Sequence, residues 1–136
     1  MIGAGGFIGC HLLEALLDRD DAEVIAADIK EGFNWPKLRE HHGPGSAFTT
    51  LESDFTDIAS FSKLPTDVNE VYMLAAVVGV NRTLKYPQDV IRTNTLLTMN
   101  TLRWISDNPV EKLLVASSSE NYAGTTDLFG ADVPTD

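Results

Sequence analysis

Seven residues near the start, Gly3-Ala4-Gly5-Gly6-Phe7-Ile8-Gly9, constrain this chain more than any other stretch. Glycines at 3, 6 and 9 are followed at once by a helical pattern from Phe7 to Arg19. Ile8, Leu12, Ala15 and Leu16 recur at helical spacing, with His11, Glu14 and Asp18 on the other face. The spacing has a physical reason. A tight turn needs a residue without a side chain, a pyrophosphate needs close approach to backbone N–H groups, and the helix must pack near the strand before it. The partial positive charge at the helix start then faces phosphate. A glycine triplet also occurs in turns that bind nothing, so the rest of the chain has to decide.

Beyond the loop, strand-like and helix-like patterns take turns. Glu23–Asp28 is a short apolar run bounded by acids, as a buried parallel strand would be. Gly32–Gly45 carries two proline turns and reads as loop with one short helix. Ala47–Glu52 is a further strand, and Asp57–Lys63 a short helix that Asp57 can cap. Val71–Ala76 and Lys112–Ala116 are the last two strands. Gln88–Ser106, which starts after Pro87 and stops at Asn108-Pro109, is the longest helix. This alternation predicts an α/β architecture, a parallel sheet with helices on both faces. Only Met1 and Ile2 precede Gly3, so the sheet's first, central strand is expected to be truncated.

Asp28 ends the second strand 19 residues after Gly9. A dinucleotide-binding sheet places an acid there to accept hydrogen bonds from the adenosine ribose. A carboxylate repels a 2′-phosphate, so NAD is favoured over NADP, a preference that Lys30 nearby weakens slightly. Charge narrows the field in the same direction. Ten Lys/Arg against twenty Asp/Glu give a net charge of −10, which repels nucleic-acid backbones and anionic membrane surfaces. Backbone amides can hold a nucleotide's phosphates without any basic residue. The single cysteine, Cys10, allows no internal disulfide and favours a reducing, cytoplasmic setting. The longest apolar run, Val71–Val80, is too short to span a bilayer. No secretory leader is visible. His41-His42 lacks further ligands at metal-binding spacing, so no metal is expected.

The series GAGGFIG at 3–9, Asp28, SDFTD at 53–57, MLAA at 73–76, Asn94 and SSSENY at 117–122 resembles the extended short-chain dehydrogenase/reductase family, the NAD-dependent nucleotide-sugar epimerases, dehydratases and decarboxylases. The resemblance runs from end to end of this chain but covers the N-terminal half or less of a usual member. It implies a Rossmann-type doubly wound sheet, a partial NAD-binding domain over 1–136, with the C-terminal substrate-binding part absent. It implies NAD contacts at Gly3, Gly6, Phe7, Ile8 and Gly9 around the pyrophosphate and Asp28 at the ribose. Asp54 and the backbone of Phe55 would flank the adenine, and Ala75 and Ala76 would line the groove. Asn94, on the apolar face between Val90 and Leu97, would brace main chain near the active site, as a buried amide requires partners in any case. Met73 departs from the His or Asn often found at its position.

Ser117-Ser118-Ser119 follows the fifth strand, where an open parallel sheet places its chemistry. The family's catalytic Ser or Thr precedes a Tyr by four residues. Counting from Tyr122 selects Ser118, which would hydrogen-bond the substrate oxygen. Glu120 matches a family residue that acts on the sugar ring and tilts the reading slightly towards dehydratases and decarboxylases. Tyr122 resembles a structural tyrosine, not the catalytic one. The family's base is a Tyr-x-x-x-Lys pair, in which the lysine lowers the phenol pKa. No such pair occurs here, since Tyr72, Tyr86 and Tyr122 are followed four residues on by Ala76, Val90 and Thr126. In the family it lies past Asp136, so its absence is read as truncation, with no turnover expected of 1–136 alone.

The implied activity is transient hydride removal from a nucleotide sugar, rearrangement of the keto intermediate and return of the hydride, with Val77–Pro87 on the substrate side and a homodimer of the full protein paired through two long helices, of which Gln88–Ser106 is one. An alternative is a catalytically silent, NAD-sensing binding module of the same fold. A reductase of steroid- or flavonoid-like substrates is disfavoured by Asp28. Neither the sugar nor the choice among epimerisation, elimination and decarboxylation is legible in the sequence.

Overall fold

A computed structural model describes residues 1–19, 21–43 and 47–118. Nine elements alternate along them: α1 (Phe7–Leu17), β1 (Val24–Asp28), α2 (Trp35–His42), β2 (Phe48–Glu52), a 3-10 helix (Ile58–Lys63), β3 (Glu70–Met73), α3 (Val80–Lys85), α4 (Pro87–Asp107) and β4 (Lys112–Val115). β1 pairs in parallel with β2, and β3 in parallel with β4. Met1–Ile2 runs between the two pairs as the central strand, with Ile2 bridging Ala27 on one side and Met73 on the other, both in parallel. The stitching is tight. Ile2 N donates to Tyr72 O and Ala27 N to Met1 O, at 2.8 and 2.9 Å, while Gly3 N and Leu74 N return to Ala27 O and Ile2 O at 2.8 Å each. The order β2–β1–centre–β3–β4 is one half-turn of strands to each side of the start, as expected of a doubly wound sheet.

Helices cover both faces. On one, α1 and α2 bury Leu13, Trp35 and Leu38 against Ala4, Val24, Ala26 and Phe48. On the other, α4 and the 3-10 helix bury Leu97, Trp104 and Phe61 against Ile2, Ala27, Phe55, Val71 and Met73. Ala26 and Ala27, neighbours on β1, thus serve opposite cores, because successive strand residues point to opposite faces. The rings of Phe55 and Phe61 meet edge to face at 5.0 Å. Asp57 caps the 3-10 helix, its carboxylate accepting from Ala59 N at 3.0 Å.

Several expectations shift. The buried face of α1 is Gly9, Cys10 and Leu13; Ile8 and Ala15 point to solvent. The helix approaches the sheet through Gly9, where a Cβ would come 2.2 Å from Gly3 O, so its side-chain periodicity is offset from its contact face. β3 ends at Met73 rather than Ala76, because Leu74 N and Ala75 N both turn onto Ile2 O and the chain leaves the ladder. Val77–Pro87 contains a helix, α3, that no apolar periodicity announces: none of its residues is buried.

Candidate functional site

The glycine loop follows the C-terminal end of the central strand. Gly3 adopts φ +90°, and a Cβ there would lie 2.3 Å from Ala75 N, so the position needs glycine for both conformation and space. The chain then closes on itself, Gly6 N donating to Gly3 O at 3.3 Å, and enters α1. Gly6 is the N-cap, with no side-chain cap and no acidic residue in the first turn. The amides of Phe7, Ile8 and Gly9 have no carbonyl partner within the helix. A Cβ at Gly6 would meet nothing nearer than Gly3 O at 3.4 Å, so this face is open to close approach. Uncapped donors, an unopposed helix dipole and an open backbone form an anion cradle that fits a dinucleotide's pyrophosphate. Phe7 and Ile8 contribute amides to it; their side chains are 76% and 67% exposed.

Asp28 closes the cradle from the end of β1. Its Oδ2 accepts from Gly5 N at 2.9 Å and its Oδ1 from Ile29 N at 2.7 Å. Each oxygen retains acceptor capacity, since a carboxylate offers about four lone-pair positions. The carboxylate is therefore oriented before any ligand arrives. Gly5, which lies between the counted glycines, was not singled out by the motif. Only the 23-residue hydrogen bond to Asp28 reveals what its amide does. The loop after Asp28 is tied to α1 by Asn34, whose amide nitrogen donates to Cys10 O and Glu14 Oε1 at 2.9 Å each.

Asp54 and Phe55 follow β2. The Asp54 carboxylate accepts from Thr56 N and Thr56 Oγ1 at 2.9 and 2.8 Å, a capped turn. The Phe55 side chain is 1% exposed and belongs to the core, which leaves its backbone for a ligand; its carbonyl already accepts from Asn100 Nδ2 at 3.2 Å. Ala75 is half-buried and Ala76 exposed, immediately after β3. Asn94 on α4 reaches back to Val77, accepting from its N–H at 2.7 Å and donating to its carbonyl at 3.0 Å. This two-point clamp fixes the main chain where it leaves the sheet.

β4 delivers Ser117 and Ser118 to the same end of the sheet, the exit being held by Ala116 N on Met73 O at 3.0 Å. Ser118 is exposed there. Glu120, Ser119 and Tyr122 lie outside the described residues. His11 is surface-exposed between the rings of Phe7 and Phe33, at 4.8 and 5.9 Å. Among the described residues no group of three His, Cys, Asp or Glu side chains could hold a metal ion, and no helix is long and apolar enough to cross a membrane. The structure therefore gathers Gly3, Gly6, Gly9, Asp28, Ala75, Ala76 and Ser118 at the C-terminal ends of neighbouring strands. It spends the side chain of Phe55 on packing and that of Asn94 on main-chain support.

A family model described as the NAD dependent epimerase/dehydratase family matches residues 1–135. Among curated proteins, the chain is 30% identical over 130 residues to a UDP-N-acetyl-alpha-D-glucosaminuronate decarboxylase of Bacillus cytotoxicus, covering 96% of this chain and 39% of that protein. It is 28% identical to a UDP-glucuronate 4-epimerase of Thermodesulfobacterium geofontis, covering 98% and 43%. Among solved structures, the UDP-Glc/GlcNAc 4-epimerase of Campylobacter jejuni superposes with a TM-score of 0.76 at 24% identity, over 89% of this chain and 37% of that one. The chain thus spans about two-fifths of the length of the curated relatives it matches.

Proposed function

The chain belongs to the NAD dependent epimerase/dehydratase family, and on that premise we propose that it is the NAD-binding part of a nucleotide-sugar epimerase, dehydratase or decarboxylase. The observation that carries this is the pairing of the uncapped glycine-loop helix with Asp28, pre-oriented by Gly5 N and Ile29 N. In this reading the amides of Phe7, Ile8 and Gly9 hold the pyrophosphate, and Asp28 accepts from the adenosine ribose. Asp54 and the Phe55 backbone flank the adenine, while Ala75 and Ala76, lacking bulk, leave the groove open. Asn94 keeps Val77 in place beneath it.

NAD, when bound, supplies a hydride acceptor that later gives the hydride back. Ser118 holds the substrate oxygen at which a carbonyl forms, and Glu120 acts on the sugar ring. Proton transfer, which the resemblance assigns to a Tyr-x-x-x-Lys pair, has no such pair within residues 1–136. The relatives named for uronate decarboxylation and 4-epimerisation support the nucleotide-sugar class. The exposed stripe of Ile91, Met99 and Leu102 on α4 is apolar, as a helix pairing two subunits would be; a homodimer and a cytoplasmic setting complete the proposal.

Calorimetric titration of NAD into the complete protein tests the cofactor assignment. Asp28→Ala is expected to weaken binding at least tenfold, the loss of two charge-assisted hydrogen bonds. Unchanged affinity would sink it.

A further inference from the structure

Charge along this chain is unevenly placed. Residues 77–106 hold four of the ten Lys/Arg, at 82, 85, 92 and 103, and one of the twenty Asp/Glu, at 89, for a net charge of +3. The remainder carries −13. Of the six cations elsewhere, three find carboxylates: Arg19 pairs with Asp21, Arg39 with Glu31 and Lys112 with Glu70, while Lys63 donates to the Ser53 hydroxyl. Arg82 and Lys85 have no such partner among the described residues, although acids outnumber bases two to one. They stand one turn apart on α3, where like charges at this spacing disfavour the helix. Lys85 lies over the Tyr86 ring at 5.2 Å.

The placement of α3 gives the pair its meaning. The chain leaves β3, is clamped at Val77 by Asn94, turns at Gly79 with φ +113° and enters α3. It therefore lies beyond the C-terminal end of β3, next to the strand whose own C-terminal end delivers Ser118. The anion cradle at α1 opens from the central strand on the other side of β3. A pyrophosphate held there leaves the α3 cations to a second anion. Open parallel sheets bind ligands at this end.

We propose that Arg82, with Lys85 beside it, binds an anionic oxygen group of the nucleotide sugar, either its diphosphate or a carboxylate on its sugar; this rests on the nucleotide-sugar reading above. Guanidinium matches the planar two-oxygen geometry of both groups. Arg82 is exposed, and its backbone carbonyl, which accepts from Tyr86 N, is kept by any substitution, so its replacement leaves the fold intact.

Titration of UDP, UDP-glucose and UDP-glucuronate into the complete protein saturated with NAD tests the proposal. Arg82→Ala is expected to weaken binding about tenfold with NAD affinity unchanged, and Arg82→Lys to recover part of the loss. A loss shared by all three ligands identifies the diphosphate as the partner, and a loss confined to UDP-glucuronate identifies the sugar carboxylate. Unchanged affinities in Arg82→Ala, with a wild type that binds, would overturn this inference alone. A wild type that binds NAD but none of the three would overturn the nucleotide-sugar reading and this inference with it.

Discussion

At the scale of single residues, the clamp between Asn94 and Val77 decides where the chain may leave β3. Both hydrogen bonds come from one half-buried amide. Truncation to Ala leaves the Val77 N–H and C=O without these partners, at a cost of about 1–3 kcal/mol. The expected outcome for Asn94→Ala is a lowered unfolding midpoint and faster hydrogen exchange at the Val77 amide; an exchange rate equal to that of the wild type would show that the clamp is not what holds this segment. Asn94 was legible in the sequence because an amide at an apolar helix position needs partners, and Asp57 because capping is local chemistry. Gly5 was not. Its amide matters only through Asp28, 23 residues away, and a glycine's backbone donor leaves no mark in composition or periodicity.

At the scale of elements, legibility followed burial. α4 was legible from Pro87 at its start, Asn108-Pro109 at its end and the apolar face of Val90 and Leu97, and the structure extends that buried face to Thr101 and Trp104, whereas α3 buries nothing and carries no periodic signal. α1 was found but rotated, since its closest approach runs through a glycine that no hydrophobicity pattern registers. The α4 stripe has a measurable weight. Leu97 packs in the cluster with Phe55, Phe61 and Trp104, so Leu97→Ala should cost about 3 kcal/mol of unfolding free energy, checked by denaturant titration; a change below about 1 kcal/mol would show that the cluster collapses around the gap. The β3–β4 pairing is tuned differently. Glu70 stands opposite Lys112 in the register, and its carboxyl is held below the ordinary carboxylate range by the Tyr72 hydroxyl that donates to it and then by Lys112. A depressed carboxyl pKa contributes stability above the unfolded-state value, about 4.3, and loses it as pH falls through the folded-state value. Unfolding midpoints followed from neutral pH down through this window should therefore fall less steeply in Glu70→Gln than in the wild type. Parallel curves would remove Glu70 from the acid response.

At the scale of the whole molecule, what the chain can and cannot do follows from which groups the sheet brings to its C-terminal end. The glycine loop, Asp28, Ala75 and Ser118 arrive there from neighbouring strands, the groups to which the proposal assigns a dinucleotide and one substrate oxygen. No described tyrosine can move the proton that turnover requires. The Tyr72 hydroxyl donates to Glu70, with Lys112 over its ring at 5.5 Å, and is committed to the β3–β4 ladder. Tyr86 sits at the junction of α3 and α4 with Lys85 over its ring, and that lysine precedes it rather than following by four. A phenol reaches neutral pH as a base only when a neighbouring cation stabilises its phenolate, and the order Tyr-x-x-x-Lys that would place one on the next turn of a helix occurs nowhere in the sequence. Residues 1–136 supplied with NAD and UDP-glucuronate or UDP-glucose should therefore give no product and no transient reduced-nicotinamide absorbance, whereas the complete protein should give both. Turnover by residues 1–136 alone would mean that a group within these residues moves the proton, and Ser118 or Glu120 would be the first to test.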